Sequence, residues 1–207
     1  MTAHAEQLPR IFQANIARLY QRVIQPCLDR LPVHDRLVTG EAPDLDTSLE
    51  RAAMQVDNYT ANEANKVFAL MLAAVFERQL RAWAFHVLSG APQPDIARMP
   101  IESLLVAVNG VWGIDLENDS GGPDIAEAFF VANVVRHGDG RSSQALQSRA
   151  GHLWDQQDDY VDLAPGPSPQ SEMLRIRSAD LVRYIRSMVR YWGLADRQPL
   201  AVTEGLV

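Results

Sequence analysis

The 207-residue chain carries a formal net charge of −7, and 47% of its residues are apolar. This composition is ordinary for one globular domain, and no apolar run approaches the roughly 18–20 residues that span a membrane. The single cysteine, Cys27, excludes an internal disulfide framework and a cysteine-based zinc site. The acidic total argues against a protein that coats DNA with a basic surface. With no secretory signal visible in the first residues, we expect a cytoplasmic protein.

Apolar residues recur at helical spacing through the first half of the chain. A helix is predicted over residues 6–31, in which Pro26 introduces a kink or an early end, and residues 32–46 are predicted as a loop. A short helix is predicted over 47–56, with its first residue as the N-cap. The longest helix is predicted over 62–88, where a Gly- and Pro-rich stretch follows.

The second half of the chain continues this pattern with shorter helices. The predicted elements are a short helix after Pro100, a helix over 123–137, a short helix from Arg141, an irregular segment over 150–170, a short strand-like segment over 173–177 and a final helix over 178–193. The whole pattern predicts an all-α bundle of about five to seven helices with irregular connections.

A polar cluster ends the otherwise apolar helix over 123–137. Asn133 and His137 are four residues apart and therefore share one helical face, and Arg136 is adjacent. Asp139, between two glycines, would accept hydrogen bonds or orient the histidine, and Arg141 adds a second cation. Such a set is suited to RNA cleavage without a metal, because a base activates the 2′-hydroxyl while cations stabilise the charged phosphorane.

A second polar set, Glu77, Arg78 and Arg81, lies on the longest predicted helix. Two antiparallel helices would bring this set opposite His137 and add phosphate-binding charge. Both sets also have structural interpretations. Glu77 and Arg81 are spaced as an ion pair within one helix. A histidine followed by glycine is typical of a helix C-terminus, where a positive charge interacts favourably with the helix dipole.

The basic residues are nearly all arginines, Lys66 being the one lysine, which is typical of a GC-rich bacterial genome. The arginines at positions 183, 186 and 190 recur at helical spacing in the final helix, and we interpret them as a solvated face. The remaining histidines and aspartates show no spacing of metal ligands, so no metal or cofactor is expected.

The Asn133-x-x-x-His137-Gly-Asp-Gly run resembles the second half of the active-site motif of HEPN domains, a superfamily of small helical bundles. The resemblance extends over residues 60–192 and includes Phe76-Glu77-Arg78-x-Leu80-Arg81-x-Trp83 on the long helix. The family signature is an arginine followed by the histidine, with four to six residues between them. Positions 130–132 hold Phe, Val and Ala instead, so Arg136, Arg78 or Arg81 would have to supply that charge in space.

The resemblance implies a HEPN-like bundle over 59–195, preceded by an N-terminal helical extension over 1–58 and followed by a flexible tail over 196–207. It further implies a homodimeric, metal-independent endoribonuclease of toxin or antiviral-defence type, with RNA as substrate and a possible antitoxin or defence-system partner. His137 would be the acid/base, Asn133 and Asp139 would fix its geometry, and the arginines would hold phosphate. Two alternatives stay open: a non-catalytic HEPN-like module for dimerisation or protein interaction, and an unrelated helical protein in which Asn133 and His137 form a polar network.

Overall fold

The computed structural model describes residues 3–38, 40–90, 92–116, 119, 121–155, 159 and 169–203. All regular secondary structure in these residues is helical, which confirms the predicted all-α bundle. The α-helices are α1 (Ala3–Leu19), α2 (Gln25–Leu28), α3 (Leu45–Val87), α4 (Gln93–Arg98), α5 (Ile101–Trp112), α6 (Gly121–His137), α7 (Arg141–Arg149) and α8 (Ser178–Ala195). No helix in the described part of the chain is long and apolar enough to cross a membrane.

The longest element, α3, joins two helices that the sequence predicted as separate. It runs for 43 residues without a break, because residues 57–61 contain neither Gly nor Pro and side chains such as Asn58 and Ala61 are buried against other segments. Its N-cap is Asp44 rather than the predicted Thr47. The Asp44 carboxylate accepts a 2.7 Å hydrogen bond from the Thr47 backbone N–H, and this bond lowers the pKa of Asp44.

The first helix continues beyond α1, and its hydrogen-bond pattern changes before Pro26. A π-helical turn over Tyr20–Ile24 links α1 to the short α2. Pro26 lies in the first turn of α2. The wider π turn precedes the position at which proline, lacking an N–H, cannot continue the regular hydrogen-bond ladder.

Trp192 of α8 lies at the centre of an aromatic cluster that joins three helices. Its ring centroid is 5.0 Å from that of Phe12 on α1, and 5.5 Å from those of both Phe76 and Trp83 on α3. Phe76 also contacts Tyr191 at 5.2 Å. Edge-to-face and tilted aromatic pairs of this kind add to the free energy gained by burying the rings, so α1, α3 and α8 form one core.

The predicted division at residue 58 falls within α3, and α1 on the N-terminal side of it packs along α8 in the common core. The start of the predicted tail also contacts the bundle. Arg10 Nε lies 2.8 Å from the carboxylate of the buried Asp196, and the Gln13 side-chain amide donates to the Val202 carbonyl at 2.7 Å. Residues 204–207 of that tail, and most of the predicted irregular segment over 150–170, lie outside the described residues.

An ion-pair network joins α8 to α6 and corrects the interpretation of the α8 arginines as a solvated face. The guanidinium of Arg183 pairs with the carboxylates of Asp124 and Glu127 on α6, and Arg190 Nε lies 2.8 Å from the Asp119 carboxylate. The interpretation was wrong for Arg183 and Arg190 because these positions share the side of α8 that packs on α6.

The same network includes a buried tyrosine. The hydroxyl of Tyr184 donates to Glu127 at 2.7 Å, and that of Ser187 donates to Asp124 at 2.9 Å. Burial, followed by the hydrogen bond to Glu127, raises the pKa of Tyr184 far above its ordinary value. The tyrosine therefore remains a neutral donor, and each α6 carboxylate has both a cationic and a hydroxyl partner.

We expect Arg183→Ala to lower the free energy of unfolding by about 1–3 kcal/mol, because two largely buried carboxylates on α6 lose their cation. Urea unfolding followed by circular dichroism measures the change. Arg98→Ala is the matched control, since Arg98 is exposed on α4 and has no partner in the described part of the chain. Equal losses in the two variants would contradict a specific role for the network.

Candidate functional site

The last turn of α6 presents the predicted motif to solvent. Val131 and Val134 are buried in the core, which places Arg136 and His137 on the exposed side of the helix and leaves Asn133 half-buried. Within the described residues, Asn133, Arg136 and His137 form no hydrogen bond or ion pair with another side chain. Because Arg136 and His137 are exposed, a ligand in solution can contact both side chains.

The turn after His137 has a geometry that requires glycine. Gly138 and Gly140 have φ angles of 70° and 154°, which residues that carry a Cβ atom rarely adopt. Ser143 closes the turn, because its hydroxyl accepts from the Gly140 N–H at 3.1 Å and donates to the Gly140 carbonyl at 2.9 Å. Helix α7 then begins at Arg141, whose side chain is exposed.

Asp139 binds a distant backbone segment. Its carboxylate accepts hydrogen bonds from the backbone N–H groups of Ser171 at 2.7 Å and Gln170 at 3.0 Å. These bonds lower the pKa of Asp139. The carboxylate thus anchors the connecting segment, residues 169–177, to the end of α6.

The second predicted set is engaged elsewhere. Arg81 pairs with Glu77 at 2.6 Å, as the spacing of an intrahelical ion pair suggested. Its guanidinium also donates to the carbonyls of Ile96 and Ala97 in α4, at 3.0 and 3.2 Å. Arg78 is exposed. Arg81 therefore serves to hold the last turn of α4 against α3.

The register of α3 on α6 separates the two sets. Phe76 of α3 contacts Phe129 of α6, with ring centroids 6.1 Å apart. His137 follows Phe129 by eight residues, which is about 12 Å along the axis of α6. The N-terminal half of α3 lies towards this end of α6, because Asn62 bonds to the connecting segment that Asp139 also holds. Arg81 lies on the other half of α3, so the structure does not bring it to His137.

A cavity of about 500 Å³ forms a second candidate site that the sequence analysis missed. Its walls are the loop at 33–35, one face of α3 and residues 175–179. The α3 wall consists of Ala61 and the buried asparagines Asn58, Asn62 and Asn65. Their spacing of four and three residues could have identified them in the sequence, but the helix break predicted at 57–61 divided the pattern.

The asparagines bind backbone groups of His34, of Asp159 and of the connecting segment. Asn62 donates to the Leu174 carbonyl at 3.0 Å and accepts from the Ile176 N–H at 2.9 Å, much as a neighbouring β-strand would. Asn65 donates to the Ile176 carbonyl at 2.7 Å. Asn58 exchanges two hydrogen bonds with the backbone of His34, at 2.8 and 2.7 Å. Buried amides are thus used to satisfy buried backbone groups.

Comparison of the chain with models of known protein families, with curated protein sequences and with solved structures finds no match. In the described part of the chain, no three His, Cys, Asp or Glu side chains are grouped so that they could hold a metal ion. The residues of the two sites therefore have to indicate the function.

We expect Asp139→Asn to increase the rate of hydrogen exchange at the backbone amides of Gln170 and Ser171, because the amide side chain accepts fewer and weaker hydrogen bonds than a carboxylate. Exchange monitored by NMR measures this effect. The matched control is Asp95→Asn on exposed α4, which should leave both amides unchanged.

The pH dependence of the protection of these two amides in the wild type provides a further check. Because the pKa of Asp139 is lowered on folding from its ordinary 3.8, the stabilisation of the folded state by this carboxylate is fully present above pH 3.8. It is lost as the pH falls through the folded-state pKa. Protection of the two amides that is independent of both acid and the substitution would contradict the anchoring role.

Proposed function

We propose that this protein is a HEPN-like, RNA-cleaving effector of toxin or antiviral-defence type that acts as a homodimer without a metal ion. The observation that carries the proposal is the pairing of an acid/base group with a cation on one exposed helix end. His137 and Arg136 are adjacent, solvent-accessible and without a described partner, and Asn133 lies one turn earlier on the same face. The glycine turn and the Asp139 anchor hold this helix end in place.

The proposed reaction is transesterification within RNA. His137 removes the proton of a 2′-hydroxyl, and the 2′-oxygen attacks the adjacent phosphorus. The bond from phosphorus to the 5′-oxygen breaks, and that oxygen leaves as a hydroxyl after receiving a proton. The products are a 2′,3′-cyclic phosphate and a free 5′-hydroxyl. Arg136 and Arg141 are the cations near enough in the chain to stabilise the charged phosphorane.

A second copy would complete this site. One histidine on an open surface supplies either the base or the acid, whereas two copies facing one another supply both, together with two pairs of arginines. Positions 130–132 hold Phe, Val and Ala, so none of them supplies the motif arginine. The side chains at 131 and 132 point into the core, and the Cζ atom of Arg149 lies over Phe130, 4.7 Å from the ring centroid. In this proposal, Arg136 and Arg141 replace the motif arginine.

We expect His137→Ala to abolish growth inhibition on controlled expression and to slow cleavage of RNA by at least about 100-fold, the usual contribution of acid–base catalysis. Cleavage by purified protein in the presence of a chelator, with analysis of the RNA ends, measures the activity and the predicted cyclic phosphate. His86→Ala, an exposed histidine near the end of α3, is the control. Intact RNA with the wild type, or cleavage unchanged in His137→Ala, would contradict the proposal.

A non-catalytic interaction module is the second candidate, and the N-terminal third of α3 favours it. Leu45, Leu49 and Val56 are each at least half exposed, and together with the exposed Ala52 they recur at alternating steps of four and three residues. This spacing is that of a seam between two helices. An exposed apolar stripe of this kind fits a helical partner such as a second copy of the chain.

We expect the wild type to be a dimer by light scattering after size exclusion and Leu49→Asp to be a monomer, because the substitution places a charge in the apolar seam. Thr47→Asp introduces the same charge two residues away, on the opposite face of the helix, and should leave the dimer intact. A monomeric wild type, or a Leu49→Asp variant with unchanged mass, would contradict an interface on this stripe.

A further inference from the structure

The cavity beside the asparagines combines charged groups of both signs with the start of a long helix. Arg175, which is buried, and Arg177 contribute positive charge, whereas Asp35 and Asp159 contribute carboxylates. His34, also in the wall, lies 3.0 Å from the Asp57 carboxylate. A wall of this composition is suited to a ligand that is itself polar and carries groups of different character.

Asn65 contributes an unused hydrogen-bond acceptor. Its amide nitrogen donates to the Ile176 carbonyl at 2.7 Å, which fixes the orientation of the amide group. The opposite atom, Oδ1, is buried and has no hydrogen-bond partner among the described residues. The residue as a whole is 6% exposed. A buried acceptor without a donor is costly, so a donor supplied by a ligand would be favourable at this point.

The opposite wall is formed by the first turn of α8. Ser178 and Ala179 line the cavity, and the backbone N–H groups at the start of a helix attract negative charge. The Arg177 guanidinium lies beside them, one-third exposed and 4.0 Å from the Asp159 carboxylate. Asp180, also in this turn, accepts a 2.9 Å hydrogen bond from the Arg177 backbone N–H and pairs with Arg183.

We propose that this cavity binds a small molecule that carries one anionic group, a phosphate or a carboxylate, together with a hydrogen-bond donor. The anion pairs with Arg177 and the first turn of α8, and the donor bonds to Oδ1 of Asn65. The carboxylates in the wall disfavour a ligand that is only an anion and favour one that also presents an amine or hydroxyl. A volume of about 500 Å³ is within the range of small-molecule sites.

The experiment uses four probes with the full chain: inorganic phosphate, phosphoethanolamine, acetate and glycine. In each pair, the second member adds an ammonium group, a strong hydrogen-bond donor, to the same kind of anion, and the two pairs distinguish phosphate from carboxylate. We expect one pair to bind, with the donor-bearing member several-fold tighter, as one added hydrogen bond allows. Titration followed by ¹⁵N NMR should shift the Asn65 side-chain amide and the backbone amides of Ser178 and Ala179.

Arg177→Gln should weaken binding of the better probe by at least about tenfold, because a charge-assisted bond is lost. Arg98→Gln, an exposed arginine outside the cavity, is the matched control and should bind as the wild type does. Thermal unfolding of each variant establishes that it is folded. His137→Ala should also bind normally, which separates this site from the proposed ribonuclease site.

Three results would overturn the proposal. If no probe shifts these resonances, the cavity holds water only. If Arg177→Gln binds as tightly as the wild type, the anion is bound elsewhere. If the donor-bearing probes bind no better than the simple anions, Asn65 is not a ligand-binding group.

Discussion

The uninterrupted course of α3 is the constraint on which the rest of the structure depends. Its C-terminal half carries Phe76 and Trp83 into the aromatic cluster around Trp192. Its N-terminal half carries the asparagines that hold the connecting segment. A break at residues 57–61 would free the preceding part of the helix and Asn58 to rotate relative to Asn62 and Asn65, and the amide of Asn58 would no longer face the backbone of His34. One helix thus provides both an apolar core and a polar one.

The elements that the sequence predicted well are those whose burial shows in local apolar spacing. Leu72, Phe76, Leu80 and Trp83 recur at helical intervals and are all buried in the core, so the helix could be recognised without its partners. The predicted gap at 57–61 was wrong because the buried residues there are the polar Asn58 and the small Ala61, which show no apolar helical spacing. A polar residue at such a position indicates burial only when its partners are known, and those of Asn58 are the backbone groups of His34 and Asp159, which are distant in the chain.

The candidate site shows the same limit of local information. The exposure of His137 and Arg136 follows from the apolar face of α6, which the sequence displays. The partner of Asp139 could not be inferred in the same way. Its carboxylate was equally suited to the neighbouring histidine, but it accepts hydrogen bonds from the backbone at 170–171 instead. Likewise, the arginines of α8 could be placed on a helix face from their spacing, but which side of that helix contacts α6 is decided by the tertiary packing.

The connecting segment gives the two candidate sites a common support. At residues 170–171 it is held by Asp139, which follows the proposed acid/base residue by two positions. At 174–176 it is held by Asn62 and Asn65, whose amides form the wall of the cavity. Helix α8 begins two residues later and supplies the first turn to which the anion is proposed to bind. A substitution that loosens the segment would therefore disturb both sites, whereas changes at His137 or at Arg177 reach only one, because each of those side chains lies at one end of the shared support.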